Sequence, residues 1–244
     1  MKTLPKIILP VVCMVFAILA VLGFSASLET ASNKKPNYSV IDTNEGIFAK
    51  EINPKMIADY FDQKKNNNKT IGWLAIPDVC YYPIMYSGDN EYYLNRNEKD
   101  EYAESGSIFL NADINKDLKQ QISLIHGHHM YDGTGFAQLK KYKNEIFFQE
   151  NKYIEIFDGE YLRLYKPFTV LLYKDGKEWL EQDIKSTEAH IEYMKSLYEK
   201  SIVPMKEGVT PDFEAKAVFF STCDYTFLQA RLIVGAYLVM SYKY

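Results

Sequence analysis

From Ile71 to Met240 the chain is a succession of short runs rich in Val, Ile, Leu, Tyr and Phe, each closed off by turn-forming residues. β-Branched and aromatic side chains fit a pleated, half-buried surface, so such runs read as strands. The expected strands lie near 71–76 (IGWLAI), 80–86 (CYYPIMY), 106–110 (GSIFL), 121–126 (QISLIH), 152–157 (KYIEIF), 161–173 (YLRLYKPFTVLLY), 215–222 (AKAVFFST) and 231–240 (RLIVGAYLVM). About eight strands with few helices between them leave open edges unless the sheet closes. The pattern therefore predicts a mainly β, closed antiparallel or mixed barrel. Pro83 and Pro167 cannot donate to a ladder and mark edges or bulges.

Helices are few. Asn53-Pro54 supplies an N-cap and a proline at the first helical position, and Met56, Ile57, Tyr60 and Phe61 follow at helical spacing. A second helix starts at Ser186, carries Ile191, Met194, Leu197 and Tyr198 as its buried stripe, and ends before Pro204. A weaker helical stretch runs from about Phe136 to Phe148.

The N-terminus differs from the rest. Ile7 to Phe24 reads IILPVVCMVFAILAVLGF, 18 residues without a charge, preceded by Lys2 and Lys6. Roughly 17–25 apolar residues span a bilayer as a helix, and flanking lysines favour the cytoplasmic side. The expected organisation is a cytoplasmic N-terminus at 1–6, a transmembrane anchor at 7–24, a polar stalk at 25–46 and a catalytic domain at 47–244. That arrangement predicts a single-pass cell-membrane protein with its catalytic domain extracellular. A cleaved signal peptide is the competing reading, because Ser25-Ala26-Ser27 follows the apolar core.

Composition narrows the function. The chain carries 28 Lys+Arg against 32 Asp+Glu, a net charge of -4, which argues against nucleic acid as a partner. Removing residues 1–24, with two Lys and no acid, leaves 26 basic against 32 acidic residues. Three cysteines, Cys13, Cys80 and Cys223, are too few for a disulfide framework. Cys13 sits in the apolar run, and Cys80 among Tyr81, Tyr82 and Ile84 reads as a core thiol.

The residues with chemistry cluster in two places. Three of the four histidines, His126, His128 and His129, fall in LIHGHHMYDGTGF. In one reading His126 and His128 project on one strand face and bind zinc, for which a third ligand is wanting. In the other, one of the three is an acid/base serving a nucleophile elsewhere, and a polar loop with histidines gathered by chance is the bland alternative. Cys223 follows the strand AVFFST and opens the turn CDYTF. A hairpin between that strand and 231–240 returns Arg231 beside Cys223, where a guanidinium can hold carbonyl oxygens and stabilise an oxyanion.

Phe219-Phe220-Ser221-Thr222-Cys223 resembles the end of the T-L-x-T-C signature of sortases, Gly127-His128 resembles their Gly-His, and Arg231 resembles their strand-opening arginine. The likeness is strongest to class B sortases, through 71–94 (IGWLAIPDVCYYPIMYSGDNEYYL), 104–115 (ESGSIFLNADIN), the histidine loop and a helix inserted before the cysteine strand. It covers about residue 45 to 244. Phe219 and Phe220 depart from the signature's Thr and Leu and are expected to reshape the groove floor.

The resemblance implies a closed eight-stranded barrel with an N-terminal helix. It also implies a transpeptidase of Gram-positive cells. Cys223 would attack the Thr carbonyl of a C-terminal sorting motif on a surface protein, giving a thioacyl enzyme. His128 would protonate the leaving amine and deprotonate the incoming one, an amine of a cell-wall precursor. Arg231 would stabilise the oxyanion. Ser221, Thr222, Asp224 and Tyr225 would line the substrate groove. No cofactor and no metal are assigned. A cysteine endopeptidase using water, and a non-catalytic tethered binding domain, are the alternatives.

Overall fold

Strand formation in the chain follows the β-type runs closely. A computed structural model describes residues 53–150, 152–174, 184 and 186–244, all within one compact unit, Ser39–Tyr244. Eight strands are present: β1 (Thr70–Ile76), β2 (Cys80–Met85), β3 (Phe109–Leu110), β4 (Ile122–His126), β5 (Ile154–Phe157), β6 (Tyr161–Lys174), β7 (Ala217–Asp224) and β8 (Ala230–Lys243). They close into a barrel in the order β1-β2-β3-β4-β7-β8-β6-β5, with β5 antiparallel to β1. The β2/β3 and β4/β7 pairs are parallel, so the barrel is mixed. The run at 106–110 contributes only Phe109 and Leu110.

The prolines behave as expected. Pro83 sits opposite Trp73 in β2, which meets β3 only through Met85 and Phe109. Pro167 adjoins a register shift between β6 and β8, the kind of bulge that bends a long strand around a closed sheet.

Asn53 caps helix α1 (Pro54–Asn66) by accepting from the Lys55 and Met56 amides. Met56, Ile57 and Tyr60 are buried on β5 and β6 side chains. Phe61 is 46% exposed, with ring contacts to Tyr60, Phe157 and Tyr244. The stretch at 136–148 divides into a 3-10 turn (Ala137–Lys143) and a short helix, α2 (Glu145–Gln149). Helix α3 (Thr187–Glu199) is capped by Ser186, and its buried side chains are His190, Tyr193, Met194 and Leu197. Its inward face is therefore turned towards His190 and Tyr193, with Ile191 and Tyr198 at its margins.

Alternation along β7 separates two cores. Val218 and Phe220 join Leu74, Ile125, Val170 and Val234 in a cluster drawn from all eight strands, which fills the barrel. Ala217 and Phe219 face outward, beneath Tyr193, Met194 and Leu197 of α3. Phe219 and Phe220 are both fully buried. The expectation that they reshape a groove floor is corrected: one supports the inserted helix, and the other packs edge-on against Phe136 at 5.9 Å.

The expectation of a single-pass membrane protein is also corrected. Among the described residues no helix is long and apolar enough to cross a membrane. Helices α1 and α3 have 13 residues each, about 20 Å of rise against a hydrocarbon core of about 30 Å. The apolar run at 7–24 and the stalk at 25–46 lie outside the described residues.

Candidate active site

Parallel strands end at the same rim of a barrel, and this fixes where the chemistry-bearing residues meet. β4 and β7 pair in parallel up to His126 opposite Ser221, and the Gly127 amide donates to the Ser221 carbonyl at 3.2 Å. The histidine loop and Cys223 therefore leave adjacent strands at the same end. Gly127 is required there, because a Cβ would come within 2.4 Å of Ile108 and 2.8 Å of Phe136.

Cys223 and Arg231 are direct cross-strand partners in the β7/β8 hairpin, so their side chains share a face. Arg231 Nη1 donates to Cys223 Sγ at 3.3 Å. A guanidinium at this distance stabilises negative charge on the sulfur, or on an oxygen bound beside it. Cys223 is partly exposed and lines a concavity of about 520 Å³ with Tyr225, Phe227, Leu228 and Arg231. Cys80, in contrast, packs against the barrel core, and burial pushes its thiol well above the ordinary range. Both thiols are of intermediate exposure; what separates them is the Arg231 guanidinium at Cys223 and the apolar packing around Cys80.

His128 is oriented by the end of the 71–94 stretch. Its Nε2 lies 2.7 Å from the Leu94 carbonyl. A carbonyl only accepts, so Nε2 carries the proton and Nδ1 is left for proton exchange. Leu94 ends a 3-10 turn (Tyr92–Leu94). Gly106, at φ +56°, lets that turn approach: a Cβ would lie 2.7 Å from the Leu94 oxygen and 3.0 Å from His128 Cδ2.

The remaining histidines separate clearly. His126 accepts from Asn111 Nδ2 at 2.9 Å and packs on Phe109 at 5.4 Å. His129 instead reaches β7, with Nδ1 2.9 Å from the Cys223 carbonyl oxygen. Nothing in the sequence of the loop marks His129 for this contact, which is made 94 residues away.

Ser221 and Thr222 are buried, and Thr222 Oγ1 has no hydrogen-bond partner. Tyr225 is 61% exposed at the rim. Asp224 is buried and accepts from the Thr226 amide at 2.9 Å, from its hydroxyl, and from Lys143 Nζ at 3.0 Å. Burial alone would raise this carboxyl, but the bonds from Thr226 and Lys143 outweigh it and hold the pKa below its ordinary value. Lys143 and the Leu94 carbonyl carry no sequence signal of their own, one being a lysine among the three of KKYK and the other a backbone oxygen. Among the described residues no cluster of His, Cys, Asp or Glu could hold a metal ion.

No family model matches the chain. Curated relatives do. Sortase B of Listeria monocytogenes is 27% identical over 231 residues, covering 89% of this chain and 90% of its own. Sortase B of Staphylococcus aureus is 23% identical over 246 residues, covering 97% and 96%. Among solved structures, Clostridium perfringens sortase B superposes with a TM-score of 0.67 at 28% identity, over 74% of this chain and 99% of that one. A substrate complex of the S. aureus enzyme, 22% identical, shares the fold with a TM-score of 0.66 over 75% of this chain and 86% of that one.

Proposed function

Because the chain is a sortase-family cysteine transpeptidase, most similar to class B sortases, we propose that residues 47–244 form its catalytic unit, with Cys223 as nucleophile, His128 as acid/base and Arg231 as electrostatic partner. The observation that carries this reading is the Arg231–Cys223 contact at 3.3 Å on a partly exposed strand end.

The substrate is a surface protein with a C-terminal sorting motif. The Cys223 thiolate attacks the Thr carbonyl carbon, forming a C–S bond and moving the carbonyl electrons onto oxygen. Arg231 stabilises that oxyanion. As the oxyanion collapses, the C–N bond breaks and the leaving amine takes a proton from His128, leaving a thioacyl enzyme. An amine of a cell-wall precursor then attacks the thioester and gives its proton to His128. The C–S bond breaks, and the thiolate returns. One amide is exchanged for another, with no redox change and no co-reactant. Because Nε2 of His128 is held by Leu94, Nδ1 is the nitrogen that passes the proton.

Incubating the full chain with Thr-containing motif peptides and a panel of primary amines tests the reading. The expected product is the peptide joined to an amine. Hydrolysis alone across all amines would make the protein an endopeptidase instead.

A further inference from the structure

His129 is joined to the nucleophile's strand at more than one point. Its Nδ1 lies 2.9 Å from the Cys223 carbonyl oxygen. That oxygen only accepts, so Nδ1 bears a proton whatever the state of Nε2. The imidazole stands edge-on to Tyr225, 5.0 Å away at 65°, and the Tyr225 hydroxyl donates back to the His129 carbonyl at 3.4 Å. Tyr225 is itself stacked on Tyr131, 5.9 Å away and 12° from parallel. Residues 129–131 of the histidine loop are thus fastened to residues 223–225.

The fastening lies where the ladder has run out. The backbone link from Gly127 to Ser221 continues the β4/β7 pairing. Past it, the histidine loop turns back on itself, with His129 bridged to Gly135 and the Phe136 amide donating to the His128 carbonyl at 2.8 Å. The His128 ring is held by Leu94, a segment outside both strands. The spacing between His128 and the Cys223 sulfur then depends on what ties the loop to the end of β7, and His129 makes that tie.

We propose that His129 is a positioning residue: its Nδ1–H holds the Cys223 carbonyl, and through it the sulfur, at the spacing from His128 that proton transfer requires. The Tyr225–Tyr131 stack keeps the imidazole from swinging away. The proposal rests on Cys223 as nucleophile and His128 as acid/base. Misplacement by about 1 Å can cost on the order of 100-fold in rate, so loss of one tether is expected to cost about 10- to 100-fold.

The test uses the full chain and a quenched-fluorescent peptide, selected on the wild type from a library fixed only at Thr, with triglycine as the amine. Four variants are compared: His129→Ala, His129→Phe, His129→Asn and His128→Ala. Phe keeps a ring against Tyr225 without the N–H; Asn offers an N–H but cannot exchange protons. The expected result is kcat lower by about 10- to 100-fold in His129→Ala and His129→Phe, with KM within about twofold. His129→Asn is expected to recover to within about threefold of wild type, with an unchanged pH profile, while His128→Ala is inactive. An Asn variant as impaired as Ala, or a Phe variant as active as wild type, would overturn the proposal. So would loss of the folded state in both Ala and Phe, which would assign His129 to stability alone. Turnover by Cys223→Ala, run alongside, or none by wild type, would instead remove the underlying reading.

Discussion

Replacing Arg231 by Lys retains the charge but not the planar fork that reaches Cys223 Sγ from the neighbouring strand. A single oxyanion donor is worth about 3–4 kcal/mol in acyl transfer. Arg231→Lys is therefore expected to slow thioacyl formation by at least about 100-fold, read by stopped-time mass measurement. A rate within about threefold of wild type would leave Arg231 as a charge at a strand edge. His126 and His128 provide a sharper contrast, two residues apart. His126→Ala leaves Asn111 without the acceptor it donates to. That should cost about 1 kcal/mol of stability and little turnover, whereas His128→Ala should remove turnover with the fold intact. Denaturant titration together with single-turnover assays separates the two effects; equal loss of turnover would mean that the acid/base is shared or misassigned.

At the scale of elements, the site is held by segments far apart in sequence. The Lys143–Asp224 pair ties the 3-10 turn at Ala137–Lys143 to the residue after Cys223. Asp224 is buried but Lys143 is about a third exposed, so Lys143→Met should cost about 1–2 kcal/mol rather than the larger loss of a fully enclosed pair. The sign of the pH effect follows from the lowered carboxyl. Stabilisation is fully present above the unfolded-state value near 3.8 and is lost as pH falls through the lower folded-state value. The difference between wild type and Lys143→Met should accordingly be present at pH 7 and shrink below pH 3.8, measured by urea unfolding at several pH values. A constant difference would show that the charge pair is not its source. Gly106→Ala tests the other support. It forces φ +56° on a residue with a Cβ and drives that Cβ against the Leu94 carbonyl. The expected loss is about 1–3 kcal/mol of stability, with turnover falling further than stability explains, because His128 loses its anchor. Unchanged turnover in a folded variant would free His128 from any dependence on Leu94.

For the whole molecule, the parts legible in sequence were those written in local pattern. Short β-branched and aromatic runs bounded by turn residues announce the strands, Asn53-Pro54 and Ser186 announce two helix starts, and Cys223 and Arg231 are spaced for a hairpin. What stayed hidden was set by packing across the barrel. The inward face of α3 includes Tyr193 because β6, β7 and β8 side chains meet it there, and His190 because its ring reaches Gln121 and the Ala215 carbonyl. Phe219 and Phe220 read as groove residues only while the alternation along β7 had no interior assigned to it. The Leu94 carbonyl and the His129 tether are long-range contacts, 34 and 94 residues from their partners, and no local signal encodes them. The expected membrane span drew on residues outside those described, and the described helices are too short and too mixed in character to supply one.

The most direct test of the account is to trap the covalent intermediate. The full chain is mixed with a Thr-containing motif peptide without amine, quenched in acid, and digested for mass mapping. The expected result is an acyl group ending in Thr on Cys223, none on Cys80, whose thiol is held in its protonated form, and none in Cys223→Ala. Catalytic cleavage of the peptide by Cys223→Ala, or an acyl group carried by any other residue, would contradict it.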